Sequence, residues 1–310
     1  MGYRIRKKEE VVKAVRRIVR EQLRSAIRVA RDRKRDQEER VHEVRTRLKR
    51  SRAALALIRK GAGSKAKRDD RRLRDAGRLL ARPRDLAVQA HTFRVLGTRL
   101  QSELPPRLLV RLSAAERQIR RALEPKEVER DLKRAARALR RLRRDLSHWG
   151  VGSGRRAIGK GVTRTYRGGL TRLAAARERP TPDRFHDWRK HVKALAYELR
   201  IIAAAVPELT TTLMPKIDRL GEILGQVHDL DCVKATAGLN PRWFGRAADG
   251  EAVLAAVDQR RAELENEALA LAESVFAGRV RDVRALVETG WKIWRKGPLA
   301  DTTVEEAHRG

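Results

Sequence analysis

Apolar residues recur along this chain at three- and four-residue intervals almost from end to end, the period of one face of an α-helix. Val41, Val44, Leu48, Leu55 and Ile58 form one such seam; Phe185, Trp188, Val192, Leu195, Leu199 and Ile202 form another. Alternating Val/Ile/Thr runs, the mark of half-buried strands, do not occur. The periodicity predicts helices over about 8–33, 38–60, 66–81, 85–101, 107–123 and 126–147, then 155–178, 182–204, 209–225, 228–237, 249–276 and 279–295. Breakers agree with this division. Gly61-Ala62-Gly63-Ser64 reads as a helix–helix turn and Gly150-Val151-Gly152-Ser153-Gly154 as a flexible connector. Thr181 is placed to cap a helix whose first residue is Pro182. The expected fold class is all-α, in two halves, 1–149 and 155–310.

The halves carry one pattern. Residues 41–49 read Val-His-Glu-Val-Arg-Thr-Arg-Leu-Lys, and residues 185–193 read Phe-His-Asp-Trp-Arg-Lys-His-Val-Lys. His, an acid, Arg, an aliphatic and Lys return at an offset of 144 residues. The same offset relates Gly77-Arg78-Leu79-Leu80 to Gly221-Glu222-Ile223-Leu224, and Arg84-Asp85-Leu86 to His228-Asp229-Leu230. A gapless match of this length points to tandem duplication of one helical bundle.

The polar positions of the repeat line up. His42, Arg45, Lys49 and Arg52 are spaced three, four and three apart, and so form one stripe on a helix. The stripe lies one residue, roughly 100°, around from the apolar seam. His186, Arg189 and Lys193 stand in the same relation to the second seam, with Ala196 where the first copy has Arg52. Cations at the margin of a packed face line a groove between elements, where partial shielding strengthens their attraction for an anion. The first predicted helix carries Arg16, Arg20, Arg24, Arg28 and Arg31 at similar spacing, and Arg164, Arg167 and Arg172 occupy its counterpart. A basic helix face taken alone is usually a solvated surface. Duplication of the His–Arg–Lys register is what favours binding.

Composition sharpens this. The 310 residues include 74 Lys+Arg against 40 Asp+Glu, a formal net charge of +34. Such an excess is self-repelling and calls for a polyanionic partner. It is also uneven: residues 1–150 hold 47 basic and 19 acidic residues, a net of +28, and residues 151–310 a net of only +6. Arg predominates, and its planar fork holds phosphate oxygens bidentately. The lone Cys232 excludes an internal disulfide. No apolar run reaches the roughly 18 residues of a membrane span, and the N-terminus lacks an apolar signal region, so a cytoplasmic protein without a membrane partner is expected.

At these residues the chain resembles the CHAD family, the conserved histidine α-helical domain. The matching motifs are Val41-His42-x-x-Arg45-x-x-x-Lys49-x-x-Arg52; Thr165-Tyr166-Arg167; Thr181-Pro182-Asp183-Arg184-Phe185-His186-x-x-Arg189-Lys190-x-Val192-Lys193; and Leu220-Gly221-Glu222-Ile223-Leu224-Gly225-x-x-His228-Asp229-Leu230. The resemblance implies two four-helix-bundle-like halves related by pseudo-twofold symmetry, with basic residues of both lining a central groove or pore. It implies binding of inorganic polyphosphate and association with polyphosphate granules. His42, Arg45, Lys49, Arg52, His186, Arg189 and Lys193 are then the expected ligand contacts, with Arg20, Arg24, Arg28 and Arg167 as further candidates.

Two rival classes compete with this reading. His186-Asp187 and His228-Asp229-Leu230-Asp231 superficially resemble metal-dependent phosphohydrolases. Such a site needs several His and Asp ligands converging on one metal, whereas the first copy offers His42-Glu43 and Arg84-Asp85. No Walker-type P-loop is present. A non-catalytic protein without metal or cofactor is expected. Specific nucleic-acid binding is disfavoured by the 4% aromatic content, too little for a base-stacking platform. Phosphate neutralisation still predicts non-specific nucleic-acid binding at low salt. Trp291 and Trp294, three residues apart, are expected to pack on the second bundle.

Overall fold

A computed structural model describes residues 2–102, 104–149 and 154–296. Gly150–Ser153 of the expected connector, and the tail from 301 to 310, for which disorder is expected, lie outside the described residues. Within them there is no strand, in agreement with the all-α class. The helices are α1 (Val11–Arg31), α2 (Gln37–Arg78), α3 (Ala81–Arg99), α4 (Pro106–Arg121), α5 (Pro125–Arg144), α6 (Gly154–Glu178), α7 (Pro182–Ile202), α8 (Pro207–Leu239), α9 (Ala247–Val275) and α10 (Val280–Lys296), with short 3-10 turns at Ala203–Ala205 and Pro241–Phe244. No described helix is long and apolar enough to cross a membrane.

Helix starts follow local chemistry. The Asp36 carboxylate accepts from the Glu38 and Glu39 amides at 2.8 and 3.0 Å, opening α2. Thr181 accepts from the Arg184 amide at 3.4 Å, with Pro182 in the first turn of α7. Two expected breaks are absent. Helices anticipated at 38–60 and 66–81 are one helix, α2, kinked at Gly63. Gly63 has φ 65° and ψ −154°, backbone open only to glycine, so a single residue absorbs the bend. Segments 209–225 and 228–237 likewise join as α8, despite Pro215. The intervening Gln226 and Val227 continue the helix, whose seam (Leu220, Leu224, Val227, Leu230) is buried throughout.

Both predicted seams are buried in full. They belong to one apolar core that runs through both halves. In the first half α1 packs on α2 and α5, and α3 on α4; in the second, α6 packs on α7 and α10, and α8 on α9. The halves meet where α2 crosses α6 and α7, and where α3 meets α8. The α2–α6 crossing is close: a Cβ on Gly161 would lie 2.4 Å from the Leu57 carbonyl oxygen and 2.8 Å from its Cα. Trp291 is buried, with its ring 5.2 Å from that of Trp294. These crossings bring the polar margins of α2 and α7 to face α3 and α8.

Candidate functional site: a basic trough between the halves

Both copies of the repeat deliver their cations to one place. The ammonium of Lys49, on α2, feels the charges of Arg189 and Lys193 from α7 as well as Arg45 and Arg84 from its own half. Lys49 is exposed, yet surrounding protein desolvates its ammonium and, with those cations, pushes its pKa down to about 8. A side chain open to water but surrounded by protein mass and like charge marks this junction as the candidate trough. Lys193 is shifted down in the same way, by desolvation and then by Arg189.

The backbone holds these groups in place. Arg45 Nη1 donates to the Gly77 carbonyl oxygen at 2.9 Å. Lys193 lies against α8 where Gly221 leaves room; a Cβ there would come within 3.0 Å of its Cε and Nζ. Arg189 runs beside Gly225, 3.8 Å from the position of a Cβ. Its buried Nε has no hydrogen-bond acceptor among the described residues. Gly77 and Gly221, 144 residues apart in the sequence, thus each lie against a cation of the candidate trough.

Histidines and acids complete the lining. His186 and His228 stack, ring centroids 4.3 Å apart. Desolvation, then His186, Arg189 and Lys49, push the His228 pKa down to about 4. His42 and His186 are also lowered, desolvation leading, then Arg84 and Lys49 for His42 and Lys190 and Arg189 for His186. All three imidazoles are therefore neutral at pH 7 and serve as hydrogen-bonding groups. Asp229 faces Arg189, Arg84 and Lys49, but desolvation outweighs them and raises its pKa to about 6. Its repeat mate Asp85, facing Arg45, Arg84 and Lys49, is raised likewise. Burial thus holds both acids above the usual carboxylate range in spite of the cations they face. Arg84 itself is a trough residue that sequence spacing did not single out, although its place in the repeat opposite His228 marked it.

The remaining candidates divide. Arg52 is tied by Nε to Asp70 at 2.8 Å. The second copy has the same device one turn further on: Arg200 donates to Asp218 at 2.7 and 2.6 Å. Past buried Ala196, the next cation along this face of α7 is Arg200. Arg20 and Arg24 do not join the trough. They are exposed on α1, in a depression shared with α5. Arg28 continues their stripe, exposed, and Arg167 is exposed on α6. Amphipathic spacing names the face of a helix, not the neighbour it meets, which is why one stripe pattern led to different places. Among the described residues no three His, Cys, Asp or Glu side chains are grouped to hold a metal ion.

Fold and site together define an all-helical protein in which cations of both halves gather at their junction, the candidate trough. The CHAD domain family model matches residues 14–237, and the chain belongs to that family. Among solved structures, the CHAD domain from the plant Ricinus communis is similar, with 17% sequence identity, a TM-score of 0.54 and coverage of 92% of this chain and 93% of that one. At that identity the likeness concerns the fold. No curated protein matches the chain.

Proposed function

We propose that this protein is a non-catalytic receptor for inorganic polyphosphate, held in the trough by Arg45, Lys49, Arg84, Arg189 and Lys193. In this reading the halves are duplicated bundles related by a pseudo-twofold axis, and the polymer runs between them, including at polyphosphate granules. One observation carries the reading: Lys49, desolvated by the surrounding protein, is also crowded by cations from both halves, and burial and this repulsion together bring its pKa to about 8. That repulsion destabilises the empty site and is relieved by a polyanion. The free energy comes from many modest contacts and from counterion release, by extension from nucleic acids. Affinity therefore grows with chain length and falls with salt.

The test is competition at ~150 mM salt, where exposed charges more than about 8 Å apart are screened. Long-chain polyphosphate is expected to displace labelled polyphosphate far better than orthophosphate, ATP or duplex DNA of matched phosphate content. Equal displacement by orthophosphate rules out multivalent capture; equal displacement by DNA makes the protein a general polyanion binder.

A pH dependence follows with a definite sign. Lys49 is charged below about 8 and loses its charge as pH rises through that value. Polyphosphate affinity is expected to drop between pH 7 and pH 9, with proton uptake on binding near pH 8 measurable by calorimetry in buffers of different ionisation enthalpy. Lys49→Arg, charged throughout, should abolish the step. The stability of the empty protein moves oppositely: an unfolded lysine, pKa near 10.4, binds a proton that folded Lys49 has released, so this group's contribution rises with pH from about 8 to 10.

A further inference from the structure

Beyond the trough, a cluster of arginines with few ion-pair partners among the described residues lies on α1 and α5. Its lining consists of Arg20, Arg24, Arg137, Arg140, Arg141, Arg143 and Arg144, around an open depression of about 670 Å³. Residues 132–144 contain seven cations and no acid. The apolar seam of α5 (Leu132, Ala135, Ala136, Leu139 and Leu142) is buried, which turns these arginines outward. Of the seven lining arginines, only Arg144 makes an ion pair with a described residue, to Asp145 at 3.1 Å. Elsewhere the protein does neutralise such residues: Arg17 with Glu9 and Glu21, Arg40 with Glu129, and Arg120 with Glu116 and Glu38. The trough is built from α2, α3, α7 and α8, so the two cationic sites are separate. A second basic depression, lined by Lys13, Arg16, Arg17, Arg20, Glu21 and Arg24, adjoins the first through Arg20 and Arg24 and extends the track along α1.

We propose that the α1/α5 arginine depression is a second binding site for inorganic polyphosphate, so that one protein molecule holds two polymer segments and cross-links polyphosphate strands. The proposal rests on the polyphosphate reading of the trough. The shape and chemistry of the lining select the ligand. Packed helix axes stand about 8–10 Å apart, so a depression between them admits a thin strand, whereas a DNA duplex, whose major groove alone is about 12 Å wide, meets only its rim. A single-stranded nucleic acid would need aromatic faces for its bases, and every lining residue is arginine. A bare phosphate polymer needs only the guanidinium forks. Two separate sites on one rigid body cannot both be filled by a short oligomer that reaches only one of them. A long polymer spans several molecules, and its avidity then exceeds that of either site.

The experiment compares four full-length proteins: wild type; Arg137→Glu/Arg140→Glu/Arg141→Glu; the trough variant Arg45→Glu/Arg189→Glu; and a charge-matched control, Arg246→Glu/Arg281→Glu/Lys292→Glu, exposed in the second half. Calorimetry with a short oligophosphate reads the number of sites, and turbidity with long-chain polyphosphate reads cross-linking. Wild type and control are expected to show two sites and a turbidity maximum at intermediate mixing ratio. The α5 variant should show one site, with trough affinity like that of the control, and no turbidity. The α5 arginines are exposed, so their reversal spares the core; circular dichroism verifies this, and the corresponding triple Gln variant repeats the test without added acids. A wild-type count of one, or an α5 variant that still shows two sites, overturns the second site. If the α5 variant is unchanged while the trough variant loses binding, the trough stands alone. If the trough variant is unchanged while the α5 variant loses a site, the trough assignment falls and the α1/α5 site stands. Duplex DNA that outcompetes polyphosphate in the trough variant overturns the ligand assignment.

Discussion

Arg45→Glu combined with Arg189→Glu is expected to lower affinity for long-chain polyphosphate at the trough by about 100-fold or more while the helical signal persists. Hydrogen bonds to charged groups contribute about 1.5–3 kcal/mol each, and each 1.4 kcal/mol is tenfold in Kd; losing two such contacts gives this lower bound. Charge reversal adds repulsion, because Asp85 already faces position 45 and Asp229 faces position 189. Arg45 also forfeits its bond to the Gly77 carbonyl, so the double Gln variant serves as the milder companion. Far-UV circular dichroism and competition at the trough, in an α5 triple-variant background, read fold and affinity separately. Undiminished affinity in the folded double variant would remove these arginines from the site.

Gly161→Leu is expected to destabilise the protein by about 3 kcal/mol or more, the upper end of what overpacking costs. At most crowded glycines here the neighbour is a side chain; at Gly161 it is the Leu57 backbone, at 2.4 Å from a Cβ. Backbone of a helix cannot rotate away, so α2 and α6 must separate. Because α2 also packs on α7, the spacing between Lys49 and its partners Arg189 and Lys193 changes with it. Chemical denaturation reads the loss of stability, and polyphosphate affinity under native conditions is expected to fall too. A variant as stable as wild type would mean that the crossing is not held at this point. Gly238→Ala, on α8 with nothing near its Cβ position, is the control and is expected to be neutral or slightly stabilising through its helix propensity.

Much of the trough is legible in the chain because its residues sit beside a core seam and occur twice. His42, Arg45 and Lys49, with His186, Arg189 and Lys193, are set by period and offset, both linear properties. The α1 stripe of Arg20, Arg24 and Arg28 has equally regular spacing but belongs to another surface, since the identity of the neighbouring helix is not encoded in spacing. Arg84 does not follow from stripe spacing, because a site built by four helices recruits side chains from whatever turn reaches it. The α5 arginines leave a linear signal, seven cations without an acid; what lies opposite them on α1 does not appear until the chain is folded.

The sequence by itself determined helix periodicity, the apolar seams, the capped start of α7, the repeated His–Arg–Lys register and the surplus of positive charge. These are short-range consequences of 3.6 residues per turn and of side-chain chemistry. Only the tertiary structure decided that α2 and α8 run on where breaks were expected and that Arg52 is held by Asp70. It also decided that one cationic stripe faces inward across the halves while another faces solvent beside α5. The physical reason is that burial and electrostatic environment depend on which surfaces meet through space: Lys49 becomes a group with a pKa of about 8 because the folded protein desolvates it and brings Arg189, far away along the chain, beside it.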